Sequence, residues 1–318
     1  MRATNKYVSY GARVVKRYAP KPVKALGRKV LKKQSSRLKA DASIKPPELS
    51  YGENTVINHP KLHNGARIVF GGKNNILYLE SPDIVIDNCK IHFHGDNSVM
   101  YISKNKQMSH HVNLNTFNDS TLYIGKDVSF YKSFRTDIVA SEHTNIIIGD
   151  DCLFSLNIWF RTSDAHAAYD AINRTRLNPA KSILVGDHVW LGQNVTLLKG
   201  TMIGSGAIVG AGSITTGKAL NSNSSYAGAP ARELKKGVFF TKDDANKFSQ
   251  SPDRHLKYDS DDWIYAYDKD SQLTLREIDD NLAAAPTSKE KLEYLKKYLA
   301  GPHNKNRFYI GEETHRPK

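Results

Sequence analysis

The chain has 318 residues, enough to bury one large or two modest hydrophobic cores, and a formal net charge of +14. No segment approaches the roughly 18 consecutive apolar residues of a transmembrane helix, and the N-terminus lacks the apolar core of a secretory signal. The two cysteines, Cys89 and Cys152, lie in alternating apolar runs. We therefore expect buried thiols rather than a disulfide framework or metal site, and a cytoplasmic protein.

The positive charge is concentrated in an N-terminal arm, residues 1–48. The arm holds 14 Lys/Arg against two acidic residues, so it carries about +12 and the remaining chain about +2. Its apolar residues have helical spacing, interrupted at Pro20 and Pro22. Such an arm suits an anionic surface, whether membrane headgroups at the inner face of the cell membrane, an acidic polymer or an acidic partner. A solvated arm packed on the main domain is an equal alternative, whereas no recognised nucleic-acid-binding pattern accompanies the charge.

From residue 49 to about 219 the chain consists of short runs of Ile, Val, Leu and Tyr separated by Gly, Asn and Asp, which predict strands and turns. From Val185 these runs divide into sixes, VGDHVW, LGQNVT, LLKGTM, IGSGAI and VGAGSI. Their first residue is aliphatic every time and their second is glycine in four of five. IGDDCL from Ile148 and IGKDVS from Ile124 share the pattern.

A six-residue period predicts a β-solenoid. Each hexad supplies one short strand and one tight corner, where Gly, Asn or Asp tolerate positive φ. Three hexads close a triangular coil of about 18 residues. We expect Val185 to stack against Ile203 and Leu191 against Val209, because each coil must bury the apolar face of the last.

The pattern stops at a histidine. Ile148 and Val185 are 37 residues apart, one coil plus nineteen, so a loop at about 166–184 should leave the solenoid at His166. Ile124 and Ile148 are 24 apart, which predicts a smaller bulge near Thr136–Asn145. Residues 236–318 change character and predict helices at about 273–284 and 288–300, the second with a Thr287–Glu290 capping box. This C-terminal extension should cap the solenoid or mediate assembly.

The stretch VGDHVWLGQNVTLLKGTMIGSGAIVGAGSITT, with YAGAPAREL after it, resembles the hexapeptide-repeat acyltransferases. It is most similar to the O-acetyltransferases of sugars and bacterial surface polysaccharides, and RTSDAH followed by RLNPAKSILVGDHVWLG supports this. The resemblance is specific over residues 146–235, weaker over 50–145 and absent elsewhere. It implies a left-handed parallel β-helix over 49–235, a homotrimer, and acetyl-CoA as donor to a sugar acceptor of a capsular or lipopolysaccharide type.

The resemblance also implies site residues. His166 matches the catalytic general base, which removes a proton from the acceptor hydroxyl so that it attacks the thioester directly. Asp164 could orient that imidazole or be ordinary turn chemistry. The following positions match the region along which coenzyme A lies: Trp190, Gly192, Gly210, Ala211, Thr216, Gly228 and Arg232. Lys235 and Lys236 are further candidates for the nucleotide phosphates, and Gly210 and Gly212 are also explained by the corners alone.

The sequence departs from the family pattern in two places, and three other functions are alternatives to O-acetyl transfer. Lys218 is displaced by one place from the family's lysine, and the asparagine that some relatives use has no clear match, with Arg135, Asp137 or His143 as substitutes. N-acetyl transfer to an amino sugar is one alternative. A carbonic anhydrase-like metalloenzyme is less favoured, because a zinc site needs about three converging ligands and His188 is better explained as structural. A non-catalytic scaffold is the third.

Overall fold

The computed structural model describes residues 48–107, 109–131, 136–248 and 256–311. The basic arm at 1–47 and Arg135 lie outside these ranges, so the predictions made for them stay predictions. Residues 46–318 form one compact unit, and the proposed boundary at residue 235 remains a prediction. Among the described residues, no helix has both the length and the apolar character that a membrane crossing requires.

The chain from residue 54 to 228 winds as a parallel β-helix with three faces, named A, B and C in the order in which each coil visits them. Strands are numbered along the chain. Face A is a nine-stranded sheet, parallel except for its first pair, in the order β1 (Glu48–Tyr51), β2 (Asn54–Ile57), β5 (Ile76–Leu79), β8 (Val99–Ile102), β11 (Thr121–Ile124), β14 (Asn145–Ile148), β17 (Ile183–Val185), β20 (Met202–Ile203) and β23 (Ala219–Leu220).

Faces B and C complete each coil. Face B consists of a three-stranded sheet, β3 (Lys61–His63), β6 (Val85–Asp87) and β9 (Ser109–His110), and a six-stranded sheet, β12 (Ser129–Phe130), β15 (Leu153–Phe154), β18 (Trp190–Leu191), β21 (Ile208–Val209), β24 (Ser224–Gly228) and β25 (Ala231–Lys236). Face C is a seven-stranded sheet, in the order β22 (Ile214–Thr216), β19 (Thr196–Leu198), β16 (Trp159–Arg161), β13 (Thr136–Ala140), β10 (Val112–Thr116), β7 (Lys90–Phe93) and β4 (Arg67–Phe70).

The strand registers confirm the hexad interpretation. Val185 pairs with Ile203 and Leu191 with Val209, each one coil of 18 residues apart. These side chains point inward and are buried with the other aliphatic residues of the repeat in one continuous core. Most non-glycine residues with positive φ are Asn or Asp, which adopt this conformation at the corners more readily than other side chains do.

The earlier coils are longer than the repeat predicts. Thr55 pairs with Ile76, Ile76 with Val99, and Val112 with Thr136, which are spacings of 21 to 24 residues. The bulge expected near Thr136–Asn145 is confirmed in part, because Thr136–Ala140 is the regular strand β13 but the turn after it, at 141–144, is longer than a hexad corner. The extra residues of that coil lie on either side of β13. The pattern did not reveal this, because outward side chains in β13 carry no hexad signature.

The C-terminal extension covers the outer side of face A. Helices α1 (Leu275–Ala284) and α2 (Ser288–Tyr294), with a π-helix at Leu295–Leu299 and a short 3-10 helix at Ala245–Lys247, are the helical elements of the described residues. Both predicted helices are present, and so is the Thr287–Glu290 capping box. Apolar residues of the extension bury the outward-facing Tyr101, Tyr123 and Ile147 of face A. The described part of the extension thus packs along the side of the solenoid.

A buried arginine, Arg307, connects this extension to the solenoid. The Arg307 side chain donates to both carboxylate oxygens of Asp187, at 2.9 and 2.6 Å, and to the backbone oxygen of Leu299 at 2.7 Å. Asp187 lies at the corner that follows β17, and its Oδ1 also accepts from the Asp150 amide at 2.7 Å. Arg307 therefore connects the extension, through Asp187, to two successive coils. Both cysteines are buried, as expected.

Candidate active site

The predicted loop leaves the solenoid where face C turns into face A. Ile148 pairs with Val185, which confirms an insertion of nineteen residues within one coil. Strand β16 ends at Arg161 and β17 begins at Ile183, so the loop occupies 162–182. It is about four residues longer at its start than predicted and ends before Leu184, which belongs to β17.

The loop is a hairpin held by its own polar side chains. Tyr169 and Arg176 form an antiparallel bridge, and Asp170 Oδ1 accepts from the amides of Ile172 and Asn173 at 2.9 Å each. At the base of the hairpin, Asn178 Oδ1 accepts from the Ala168 amide at 2.7 Å. These bonds give the hairpin a defined shape, although its tip is exposed.

His166 sits on the first arm of this hairpin with its side chain exposed. Its carbonyl oxygen accepts from Asn178 Nδ2 at 2.9 Å. The residue before it, Ala165, has φ of 64°, a conformation that alanine adopts only at a cost of about 1 kcal/mol or more. Within the described residues, the His166 imidazole makes no hydrogen bond, so the backbone is fixed while both ring nitrogens face solvent.

Within this chain the partners of Asp164 are Lys199 and Asn178. Its carboxylate pairs with Lys199 Nζ and accepts from Asn178 Nδ2 at 2.8 Å. The Lys199 ammonium and then the Asn178 amide lower the pKa of Asp164, which keeps the carboxylate ionised. Within one chain Asp164 connects the hairpin to the corner after β19, and its role in orienting His166 stays a prediction.

A second cluster at the same corner was not predicted. Glu142, in the turn after β13, accepts from the Ser163 hydroxyl and pairs with Arg176 at 2.7 Å. The Ser163 hydroxyl and then the Arg176 guanidinium hold the pKa of Glu142 below its ordinary value. These residues border an open cleft of about 810 Å³ that also includes Arg161 and Ala165. The sequence signal that could have identified this cluster is the position of its residues. Glu142 and Lys199 each follow a face C strand, at the corner from which the loop departs.

The proposed substitutes for the missing asparagine lie apart from His166. Asp137 is on the outer side of β13 and faces Arg161 at 3.6 Å. His143 is exposed and approaches Asp119 at 3.2 Å. No contact within the described residues joins either side chain to the His166 ring. Both therefore stay candidates without geometric support from this chain alone.

Most of the predicted coenzyme A region lies at the corner between faces B and C. Trp190 is 38% exposed at the start of β18, and its ring is 5.6 Å from that of Phe240. A side chain at Gly192 would approach the Ala211 amide to 2.6 Å, and one at Gly210 would approach Ala227 Cβ to 3.2 Å. Close stacking of coils thus explains these two glycines. Ala211 is exposed beside them.

The other residues predicted to contact coenzyme A lie farther apart. Gly228 has φ of 101° and its amide donates to Ser213 Oγ at 3.1 Å, which places it near the same corner. Arg232 is exposed on β25, opposite Ala227. Thr216 ends β22 at the other edge of face C, on the side of the loop. Face C therefore separates His166 and Thr216 from Trp190.

His188 is a buried structural residue, as expected. Its Nδ1 contacts Asp151 Oδ2 at 2.7 Å and its Nε2 contacts the Phe240 oxygen at 2.9 Å. The ring is stacked between Phe240 and Trp263, with centroids 4.1 and 3.7 Å away. Across the described ranges, no group of three or more His, Cys, Asp or Glu side chains is placed to hold a metal ion.

Known proteins show the same repeat. The family model "Bacterial transferase hexapeptide (six repeats)" matches residues 182–217. A polysialic acid O-acetyltransferase of Escherichia coli O1:K1 is 37% identical over 139 residues, 44% of each chain. One from Neisseria meningitidis is 30% identical over 148 residues, 46% of this chain and 66% of the relative. The matches thus span less than two thirds of these relatives' length.

A solved structure extends the likeness to the fold. The polySia-specific acetyltransferase NeuO has a TM-score of 0.52 and 28% identity, covering 62% of this chain and 88% of that one. The left-handed parallel β-helix expected from the sequence is thereby confirmed. Over residues 182–217 the chain thus resembles the hexapeptide-repeat transferases, and over nearly half of its length it is similar to proteins named as polysialic acid O-acetyltransferases.

Proposed function

We propose that this protein transfers an acetyl group from acetyl-CoA to a hydroxyl of an acidic bacterial surface polysaccharide. The observation that carries the proposal is the hairpin at 162–182, which projects His166 from a corner of a hexapeptide β-helix. The relatives named as polysialic acid O-acetyltransferases support the same chemistry and point to a capsular acceptor. The names of both relatives favour oxygen over nitrogen as the acceptor atom.

In the proposed reaction His166 acts as general base. The imidazole takes the proton of the sugar hydroxyl as its oxygen attacks the thioester carbonyl, because a neutral hydroxyl is a weak nucleophile. A tetrahedral oxyanion forms and is stabilised by hydrogen-bond donors. It collapses with loss of the coenzyme A thiolate, which takes up a proton, and the acetyl ester is the second product. No covalent enzyme intermediate is required.

The donor is proposed to lie along the corner between faces B and C. The exposed face of Trp190 offers an apolar surface for the pantetheine arm. Gly192, Gly210 and Ala211 leave a smooth edge beside it, and the exposed Arg232 and Lys235 are available to the nucleotide phosphates.

The assembly is proposed to be a homotrimer in which the hairpin contacts a second copy. Three large apolar side chains of the hairpin are strongly exposed, namely Tyr169 at 62%, Ile172 at 93% and Leu177 at 63%. An apolar cluster of this kind on a rigid projection is typical of a protein–protein contact. Since face C separates His166 from Trp190 within one chain, a neighbouring copy would bring a base and a donor site together. The protein is proposed to lie in the cytoplasm, with its basic arm at the inner face of the cell membrane.

The decisive experiment replaces His166 by alanine. We expect kcat for acetyl transfer to polysialic acid to fall about 10²- to 10⁴-fold, the usual contribution of a general base, with acetyl-CoA affinity unchanged. Thiol release and the mass of the acetylated acceptor measure the reaction. The matched control is His63→Ala, an exposed histidine of β3 on face B. Activity retained in His166→Ala would exclude the mechanism, and equal losses in both variants would indicate a general effect of histidine removal.

A further inference from the structure

The outer side of face C differs from the outer side of face A. The extension buries the outward residues of face A, whereas those of β4 to β16 on face C are half-buried or exposed. Their inward neighbours are core residues such as Ile91, Leu114 and Ile138. Six outward residues define what we call the acceptor track: Arg67, Lys90, Asn113, Asn115, Phe117 and Arg161.

The acceptor track is basic at both ends. Arg67 and Lys90 lie side by side on β4 and β7, and in the described ranges neither makes an ion pair. At the other end, the Arg161 guanidinium lies 4.8 Å from the Trp159 ring centre and 3.6 Å from Asp137. Two unpaired cations at a distance from the hairpin favour an anionic ligand that extends across several strands.

The middle of the track offers hydrogen-bond donors. Asn113 Oδ1 accepts from the Lys90 amide at 2.9 Å, and Asn115 Oδ1 contacts His94 Nε2 at 3.1 Å. The carbonyl oxygens are therefore occupied. Among the described residues, the NH₂ groups of both asparagines make no hydrogen bond, so they are available to carboxylate or hydroxyl oxygens.

An aromatic platform connects the track to the hairpin. The rings of His94 and Phe117 are stacked with centroids 4.5 Å apart and planes 8° apart, and Phe117 is 39% exposed. The apolar C–H face of a sugar ring can pack on such a surface. Phe117 also borders the cleft shared by Arg161 and Ala165, next to His166. From β4 to β16 the track crosses four strand spacings, about 19 Å.

We propose that the acceptor track binds an extended acidic polysaccharide and guides it into the cleft beside His166. The occupant is one flexible polyanionic glycan whose carboxylates meet Arg67, Lys90 and the asparagine amides. The inference rests on the proposed function, because it names where the acceptor of that reaction lies. It adds that chain length should matter, since a short oligomer beside His166 cannot reach Arg67.

The test is the double variant Arg67→Gln/Lys90→Gln in the full chain. We expect Kd and KM for long polysialic acid to rise about fivefold, the effect of losing two exposed ionic contacts. KM for a sialic acid dimer and Kd for acetyl-CoA should be unchanged. Binding is measured calorimetrically without acetyl-CoA, so it does not depend on turnover, and kinetics are measured by thiol release.

Lys61→Gln/Lys106→Gln is the matched control, because it removes the same charge outside face C, from β3 and from the corner after β8. Equal weakening in both variants would show a non-specific charge effect and overturn the proposal. It would also be overturned if wild-type protein did not bind the long polymer, or if the track variant changed the oligomeric state, as expected of a face buried between copies. Polymer binding by wild-type protein without acetyl transfer would instead contradict the proposed function alone.

Discussion

At the scale of single residues, the hairpin holds the proposed catalytic base, His166, through neighbours that do not touch its ring. Asn178 bonds to the His166 carbonyl and to Asp164, and Lys199 pairs with the same carboxylate. The backbone on both sides of His166 is thereby positioned, while the imidazole stays open to an acceptor. We therefore expect Asp164 to act as a positioning residue.

Asp164→Asn should lower kcat by less than about tenfold, far less than His166→Ala, because the charge that it removes is exposed and acts through the loop. Lys199→Met should cause a similar loss, and the double variant should be no worse than either single change, since both remove one contact. Steady-state kinetics with long polysialic acid measure these effects. If Asp164→Asn were as inactive as His166→Ala, Asp164 would instead orient the base in the assembled enzyme.

At the scale of elements, the C-terminal extension depends on one buried ion pair. Burial disfavours the charge, but Asp187 and Asp150 more than offset it, and the pKa of Arg307 is raised. Burial by itself would raise the pKa of Asp150, yet His303 and Arg307 lower it. Because the pKa of Asp150 is lowered in the folded protein, its contribution to stability is complete above the ordinary carboxyl range and is lost as pH falls below it.

Arg307→Met should destabilise the protein by about 3–5 kcal/mol, because it leaves the Asp187 carboxylate buried without its partner. We expect the extension to detach first, and limited proteolysis between 256 and 311 should reveal it. Arg276→Met is the matched control, since that side chain is 91% exposed and pairs with the exposed Asp280. An unfolding midpoint unchanged by Arg307→Met would show that apolar packing alone holds the extension.

At the scale of the whole molecule, one chain holds its two predicted half-sites on opposite edges of face C. The extension already covers face A, so faces B and C and the hairpin are the surfaces left for other copies or for ligands. A trimer would use the exposed hairpin tip and leave the outer N-terminal part of face C for the polymer.

Ile172→Asp should dissociate the proposed trimer, because it places a charge in an apolar contact. Light scattering after size-exclusion chromatography measures the mass, and acetyl transfer should fall together with it. Leu62→Asp, on face B at 37% exposure, is the control that should change neither. A monomeric wild-type protein, or a trimer unaffected by Ile172→Asp, would contradict this arrangement.

The repeat, the loop and the two helices could be predicted from the sequence, because each has a local signature. Hexads from Val185 specify which side chains point inward, and an interruption of the period marks the loop around His166. Capping residues mark where helices begin. The outward side chains carry no such constraint, so neither the strand β13 within the range of the expected bulge nor the polar residues on the outer side of face C could be predicted.

Only the tertiary structure decided which distant residues meet. Asp164 with Lys199, Glu142 with Arg176, and Asp187 with Arg307 are separated by 34 to 120 residues. Stacking of the coils joins the first two pairs, and packing of the extension on face A joins the third. The acceptor track likewise assembles one or two residues from each of several strands. The six-residue period of the sequence by itself determined the coil, because one repeating backbone conformation buries all the inward side chains. The polar contacts outside the coil depend on how many residues each turn contains. The number of residues in each turn is known only from the folded chain.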